Sequence, residues 1–367
     1  MKTDKKIKQK IGIDRSILRD ITITNANLEL LRKRARDVGT INSPAYDIRI
    51  SSGKPSVIKN HNISEIEITD KMYGKLTVKM RRNHFTGQRC SYNEFQLSPF
   101  DDNNNLKNLS ADEYRRRIEK ASAHFQNVYG LTLDFSQCKI SVLEINTTLK
   151  LQENFKAYEQ VLGVFMALLP VEFYSGNKIA RWSDIVTGNI ETFMVQNSSA
   201  ELKIYDKSKH LADAHIAFLP DNYMRIEYRF QRITGTTLEY PNNLTDKVLA
   251  QKFLKYFRRD IEKPYEQWIK QNEEELKQLL QEHMKRRCWI DRFCRDCRQQ
   301  NATRRLPLLF DLSVLKKCLN DIFRGDKNRG RKVRAIMDKF IYEEDLIGNV
   351  LRASEIIGGV SSTSSHK

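Results

Sequence analysis

Eight short segments between Tyr46 and Phe230 alternate apolar and polar residues with a period of two: 46–50, 66–69, 75–80, 92–97, 140–147, 192–196, 201–207 and 223–230. Successive side chains of a strand point to opposite faces, so this pattern demands a sheet with one greasy and one polar side. Two helical stripes lie among them. Ser110-Ala-Asp-Glu113 has capping-box spacing and precedes Tyr114, Ile118, Ala121, Phe125 and Val128, ending at Gly130; the second stripe carries Phe155, Tyr158, Leu162, Phe165, Met166 and Leu169, stopped by Pro170. Helices laid on one face of such strands predict an α+β fold, a largely antiparallel sheet with flanking helices. From Leu244 onward the periodicity is helical, with few Gly or Pro, which predicts an all-α C-terminal domain. The expected organisation is a basic flexible tail over 1–20, a mixed domain over 21–240, a break at Pro241-Asn-Asn243, a helical domain over 244–351 and a flexible tail over 352–367. No internal repeat is visible.

Charge narrows the partners. The 367 residues carry 63 Lys+Arg against 46 Asp+Glu, a formal net charge of +17. Such a surplus fits a polyanion, nucleic acid first. The longest apolar run, Val161 to Leu169, is nine residues and far below the roughly 18 a membrane span needs. Ile11 to Asp20 carries four charges where a signal peptide needs an apolar stretch, so a cytoplasmic protein without membrane contact is expected. Six unevenly placed Cys read as reduced thiols.

The polar parity of four strands gathers chemistry. Lys203, Tyr205 and Lys207 share one face of their segment; Arg225, Glu227 and Arg229 share one face of theirs; Glu94 with Gln96, and Glu144 with Asn146, repeat the arrangement. In one sheet these would bring a tyrosine hydroxyl, three carboxylates, lysines and arginines together, an inventory suited to phosphoryl transfer. Carboxylates from separate strands suit Mg²⁺ or Mn²⁺, cations neutralise charge on a phosphodiester, and a tyrosine can attack it. A Tyr with a pKa near 10 needs help to ionise, which the flanking lysines would give. The same parity also fits a solvated face of cross-strand ion pairs.

The stretch ELKIYDKSKHL followed by NYMRIEYRF resembles the active-site region of rolling-circle replication initiators, the plasmid Rep proteins and filamentous-phage replication endonucleases. Tyr205 and Lys207 match that family's Tyr-x-Lys strand, and Arg225 and Glu227 its Arg-x-Glu strand. YNEFQLSPF and ISVLEINTT are similar to two upstream family segments and put Glu94 and Glu144 at acidic positions. Val142 departs from an arginine frequent there, and Glu144 from an aspartate. No His-hydrophobic-His pattern is present, which points to the carboxylate-based branch. The resemblance spans about residues 70 to 240. It implies a five-stranded antiparallel sheet, metal binding by Glu94, Glu144 and Glu227, and catalysis by Tyr205, Lys207 and Arg225. It further implies single-strand nicking at an origin through a 5′-phosphotyrosyl intermediate and a 3′-OH primer. The implied partners are single-stranded and origin DNA, host replication helicase and polymerase, and a second copy in a homodimer.

Lys203 and Arg229, and beyond the matched region Arg292, Arg295, Arg298 and Arg331, are the expected DNA contacts. His283, Cys288, Cys294 and Cys297 have a spacing that could hold Zn²⁺, but their helical, basic surroundings lack a knuckle turn and favour plain thiols. Two other functions stay open on the residues alone: a mobilisation relaxase, which shares the chemistry, and a non-enzymatic DNA-binding replication regulator.

Overall fold

A computed structural model describes residues 11–37, 46–54, 56–58, 62–82, 88–98, 108–169, 178–183, 190–213, 219–303, 312–342 and 353–362. The α+β class is as expected, with a wider sheet. Strands β1 (Gly12–Arg19), β3 (Tyr46–Ser52), β4 (Ile63–Asp70), β5 (Gly74–Arg82), β6 (Arg89–Leu97), β8 (Lys139–Lys150), β9 (Lys178–Ser183), β10 (Ile190–Gln196), β11 (Ala200–Asp206) and β12 (Tyr223–Phe230) form one ten-stranded sheet. Their order is β3-β4-β5-β6-β1-β8-β12-β11-β10-β9, and each neighbouring pair is antiparallel. A small ribbon of β2 (Thr22–Ala26) and β7 (Leu131–Asp134) stands apart. The resemblance implied five strands. The extra ones include β1, formed by residues expected in a flexible tail. Ile13 and Leu18 of that strand are buried, and their burial outweighs the charges between them, which made the segment read as solvated.

Helix α1 (Leu28–Asp37) follows β2, and α3 (Glu159–Leu168) continues the turn Phe155–Tyr158. The capping box read from Ser110 and Glu113 opens α2 (Ala111–Tyr129), where the Ser110 side chain accepts from the Glu113 amide and the Glu113 side chain from the Ser110 amide. Gly130 closes it in the left-handed conformation, φ 69°, which costs glycine nothing. Between these caps the apolar stripe packs on the sheet: Tyr114 donates its hydroxyl to Ser16 at 2.8 Å, and Phe125 meets Phe95 of β6 edge-on at 5.2 Å.

The strand order is a palindrome. Each half runs strand, helix, then a four-strand meander whose last member pairs with the first strand: β1, α1, β3–β6, and β8, α3, β9–β12. The register repeats too. Ser16 of β1 pairs with Leu97, and Leu143 of β8 with Phe230; Leu97 pairs with Gly74, and Phe230 with Ala200. Ser16 and Leu143 also face one another, so a pseudo-dyad passes between the two central strands. No repeat is visible in the sequence because the halves share topology and register rather than side chains.

From Pro241–Asn243 the chain turns helical as expected, through α5 (Asp246–Phe257), α6 (Lys263–Met284), α7 (Trp289–Thr303), α8 (Leu312–Ile322) and α9 (Arg329–Tyr342). These helices share one apolar core with the sheet. Tyr228 meets Phe253 edge-on at 5.4 Å and donates its hydroxyl to the buried Asp260 at 3.1 Å, and Phe165 meets Tyr265 at 5.6 Å. A fragment ending at Asn243 would therefore expose Tyr228 and its greasy neighbours. The second expected tail is also corrected in part. Ala353–Ser362 forms α10, whose Ile356 and Val360 are buried and whose Glu355 accepts a hydrogen bond from the Tyr158 hydroxyl at 2.6 Å.

Candidate active site

The greasy sides of β8, β11 and β12 face the helices, so their polar residues converge on the opposite side as parity requires. Cross-strand pairing aligns them in three rows: Glu144–Arg229–Glu201, Asn146–Glu227–Lys203 and Thr148–Arg225–Tyr205. β1 completes the face from the other flank. Its register shifts between Ile13 and Arg15, leaving Asp14 as the extra residue of a bulge beside Glu144. A bulge re-aims a side chain, and this one brings Asp14 to the carboxylates. Oxygens of Asp14, Glu144 and Glu227 all lie within 4.8 Å of one another, the only such metal-ligand grouping among the described residues.

The polar face, which parity alone would also allow to be solvated, is largely enclosed: Glu144 is 6% exposed, Glu227 5%, Arg225 and Lys207 0%. Burial makes the three acids costly as anions. The Glu144 and Glu227 carboxyls are pushed up, first by desolvation and next by the Asp14 charge. Two cations answer part of this: Arg225 Nη1 lies 3.4 Å from Asp14 Oδ2, and Arg229 Nε 3.5 Å from Glu144 Oε1. Asp14 Oδ1 and both polar side-chain atoms of the fully buried Asn146 have no hydrogen-bond partner. Unpaired buried oxygens beside mutually repelling carboxylates fit a hard divalent cation, whose charge would reverse the upward shifts.

Arg225 also donates Nε to Thr148 Oγ1 at 3.0 Å, fixing the guanidinium beside Tyr205. Desolvation pushes the Tyr205 hydroxyl above its ordinary range, while the Arg225 charge and its hydrogen bond pull it back. The lysines were expected to supply that pull, yet it is the arginine that does so. Lys203 Nζ is engaged at 2.7 Å with Glu201. Lys207 opens the short helix α4 (Lys207–Asp213); its amine is buried, has no hydrogen-bond partner and lies 5.9 Å from the centre of the Tyr205 ring. Burial, and then the Arg225 charge, bring this amine down to about 7. His210, one turn on, meets the Tyr205 ring edge-on at 5.6 Å, with its pKa lowered by burial.

Of the residues singled out by sequence, Tyr205, Lys207, Arg225, Glu144, Glu227, Lys203 and Arg229 gather here, the last two held by carboxylates. Glu94 does not. It stands on β6 opposite Arg19, whose Nε is 3.5 Å from it, and accepts the Tyr92 hydroxyl. Strand spacing puts it roughly 20 Å along the sheet and about 14 Å across three strands from Glu227. The pseudo-dyad explains the confusion: Glu94-Phe-Gln-Leu97 occupies in the first half the register of Glu227-Tyr-Arg-Phe230 in the second. Asp14 and His210 were missed. The alternation of Ile11, Ile13 and polar Asp14 was the available signal for the first.

Outside the site, Arg292, Arg295 and Arg331 are exposed, whereas the side chain of Arg298 lies outside the described ones. His283 Nε2 is 3.0 Å from Asp296 Oδ2, Cys294 is buried and Cys288 exposed, so these three are not gathered as zinc ligands; the Cys297 side chain is not among those described. No described helix is long and apolar enough to cross a membrane.

No protein-family model and no curated protein matches the chain. Among solved structures it is similar to a rolling circle replication initiator protein from Geobacillus stearothermophilus, with a TM-score of 0.32 and 10% identity over 69% of this chain and 85% of that one. A similarity of that size leaves the chemistry to be read from the site itself.

Proposed function

We propose that the protein is a metal-dependent DNA-nicking strand transferase that initiates rolling-circle replication of a plasmid or phage. The carrying observation is a buried three-carboxylate cluster on the same sheet face as a tyrosine flanked by Arg225 and Lys207. Asp14, Glu144 and Glu227, with Asn146 beside them, would hold Mg²⁺ or Mn²⁺, which supplies Lewis-acid polarisation of the scissile phosphate. The Tyr205 hydroxyl attacks phosphorus; the new bond is tyrosine oxygen to 5′ phosphate, and the bond to the 3′ oxygen breaks. Arg225 orients the hydroxyl. The neutral Lys207 amine takes its proton, which ends on the departing 3′ oxygen. Incubation with single-stranded origin DNA labelled on the 3′ side of the nick, with Mn²⁺ and with chelator, tests this: a metal-dependent covalent protein–DNA band is expected. Origin binding without such a band would favour the regulator. A relaxase would give the same band without priming replication.

The exposed arginines of α7 and α9 are assigned to holding origin duplex through phosphates. The variant R292E/R295E/R331E should bind duplex more weakly, with the slope of log K against log salt reduced by about 0.9 per lost contact. Exposed positions contribute little to stability, so thermal melting should barely change. Wild-type affinity at each salt concentration would remove the helices from this role.

A further inference from the structure

The pseudo-dyad gives each residue of the active face a counterpart in the first half of the chain. Superposing Ser16–Leu97–Gly74 on Leu143–Phe230–Ala200 brings Glu94 onto Glu227, Tyr92 onto Arg225, Lys79 onto Tyr205 and Arg81 onto Lys207. On the central strand, Ile17 falls where Glu144 stands and Arg19 where Asn146 stands. The counterpart therefore has no nucleophile and one carboxylate in place of a cluster, and that carboxylate is already held by Arg19 and the Tyr92 hydroxyl. What remains is cationic and aromatic. Arg81 lies over the Tyr92 ring with its guanidinium carbon 3.8 Å from the centroid, and Arg19 approaches the same ring at 5.4 Å. Unlike the enclosed second-half residues, these are accessible: the side chains of Arg19 and Lys79 are 47% and 31% exposed.

We propose that this first-half face is a non-cleaving binding site for single-stranded DNA, continuous with the catalytic face across β1 and β8. It rests on the nicking reading only in naming DNA as the polyanion. Three facts favour that occupant over a protein. The cations Arg15, Arg19, Arg49, Lys75, Lys79 and Arg81 outnumber the facing acids Asp47, Glu65, Glu67 and Glu94, even though Lys75 lies 2.6 Å from Glu67 and Lys79 3.9 Å from Glu65. The exposed Arg81 guanidinium, stacked on the Tyr92 ring, offers a base a planar stacking partner while the cations follow the backbone. Finally, the face lies on the same side of the sheet as the candidate nucleophile, with Tyr92 roughly 40 Å from Tyr205 by strand spacing, so an extended strand of about eight or more nucleotides can lie on both. A duplicated fold that keeps its nucleophile in one copy thus retains the other as a hold on the strand beside the nick.

The test compares fluorescent single-stranded oligonucleotides of about 6 and about 16 nucleotides, the lower and upper range of single-strand site sizes. The full chain should bind the long probe at least tenfold more tightly than the short one. In K79E/R81E that advantage should disappear, with the salt slope for the long probe falling by about 1.4, or about 0.7 per contact, while affinity for the short probe and the melting temperature hold. If charge reversal lowers the melting temperature, K79Q/R81Q provides the same readout. Unchanged long-probe affinity in a folded variant, or a wild-type protein that binds both probes equally, overturns the proposal. Covalent-adduct formation is scored separately: a lost long-probe advantage in a protein that never forms the adduct would keep the binding site and discard the nicking reading.

Discussion

Tyr205→Phe is expected to abolish the covalent DNA adduct, by at least about 10⁴-fold in rate, while leaving oligonucleotide affinity within about twofold. The substitution removes the attacking oxygen and keeps the ring that packs against His210 at 5.6 Å. A loss of that size is typical when a nucleophile is removed and other groups remain. Quantified adduct on denaturing gels and fluorescence anisotropy give the two numbers; residual adduct in the variant would assign the nucleophile elsewhere. The wild-type rate should also depend on pH in a stated direction. The Lys207 amine, brought down to about 7 by burial and by Arg225, is protonated below that value and neutral above it. Only the neutral form accepts the tyrosine proton, so nicking should rise between about pH 6 and pH 8 and then level off. Lys207→Met should lower the rate and flatten that rise. A rise of the same shape in the methionine variant would take the proton-accepting role from Lys207.

The second large effect is on stability. Glu144 and Glu227 are raised by burial and by the Asp14 charge, so in metal-free protein they bind protons more tightly folded than unfolded. Their contribution is fully present below the ordinary carboxylate value of about 4.5 and is lost as pH rises through the raised folded values. Metal-free protein should accordingly lose stability across that window, and Glu227→Gln should lose less. Mn²⁺ at a hundredfold excess over its dissociation constant would stabilise the wild type by about 2.7 kcal/mol, or roughly 3–4 °C in melting temperature for a chain of 367 residues. That gain should be larger at pH 8 than at pH 5, and small or absent in Asp14→Asn and Glu227→Gln. Equal metal-induced shifts in wild type and both variants, followed by thermal melting, would remove the cluster as the metal site. Glu94→Gln serves as the control, since Glu94 lies in the other half of the sheet and should leave the metal-induced shift intact.

How far the site was legible follows from how local its causes are. β11 and β12 alternate strictly, with Leu202 and Ile204 buried on one side and Met224, Ile226, Tyr228 and Phe230 on theirs, so parity alone assigned Tyr205, Arg225 and Glu227 to a common face. The capping box and Gly130 fixed α2 within a few bonds of the residues concerned. The switch to helical periodicity after Pro241–Asn243 needed only composition and spacing. These features depend on near neighbours in the chain, and near neighbours are what a sequence displays.

Tertiary structure decided the rest, because pairing across long separations leaves no local trace. Asp14 reaches Glu144 and Glu227 only because β1 is captured between β6 and β8 and bulges there; alone, its segment reads as a charged extension of a basic tail. Glu94 has the parity and the sequence neighbours of a ligand, yet strand order puts it in the opposite half of the sheet. Burial turned the polar face from a solvated surface into an enclosed one, which is why Tyr205 rises, Lys207 falls and Arg225 becomes the group that steadies the hydroxyl. The sequence by itself determined which side chains could share a face; the order and register of strands distant in the chain determined which of them meet.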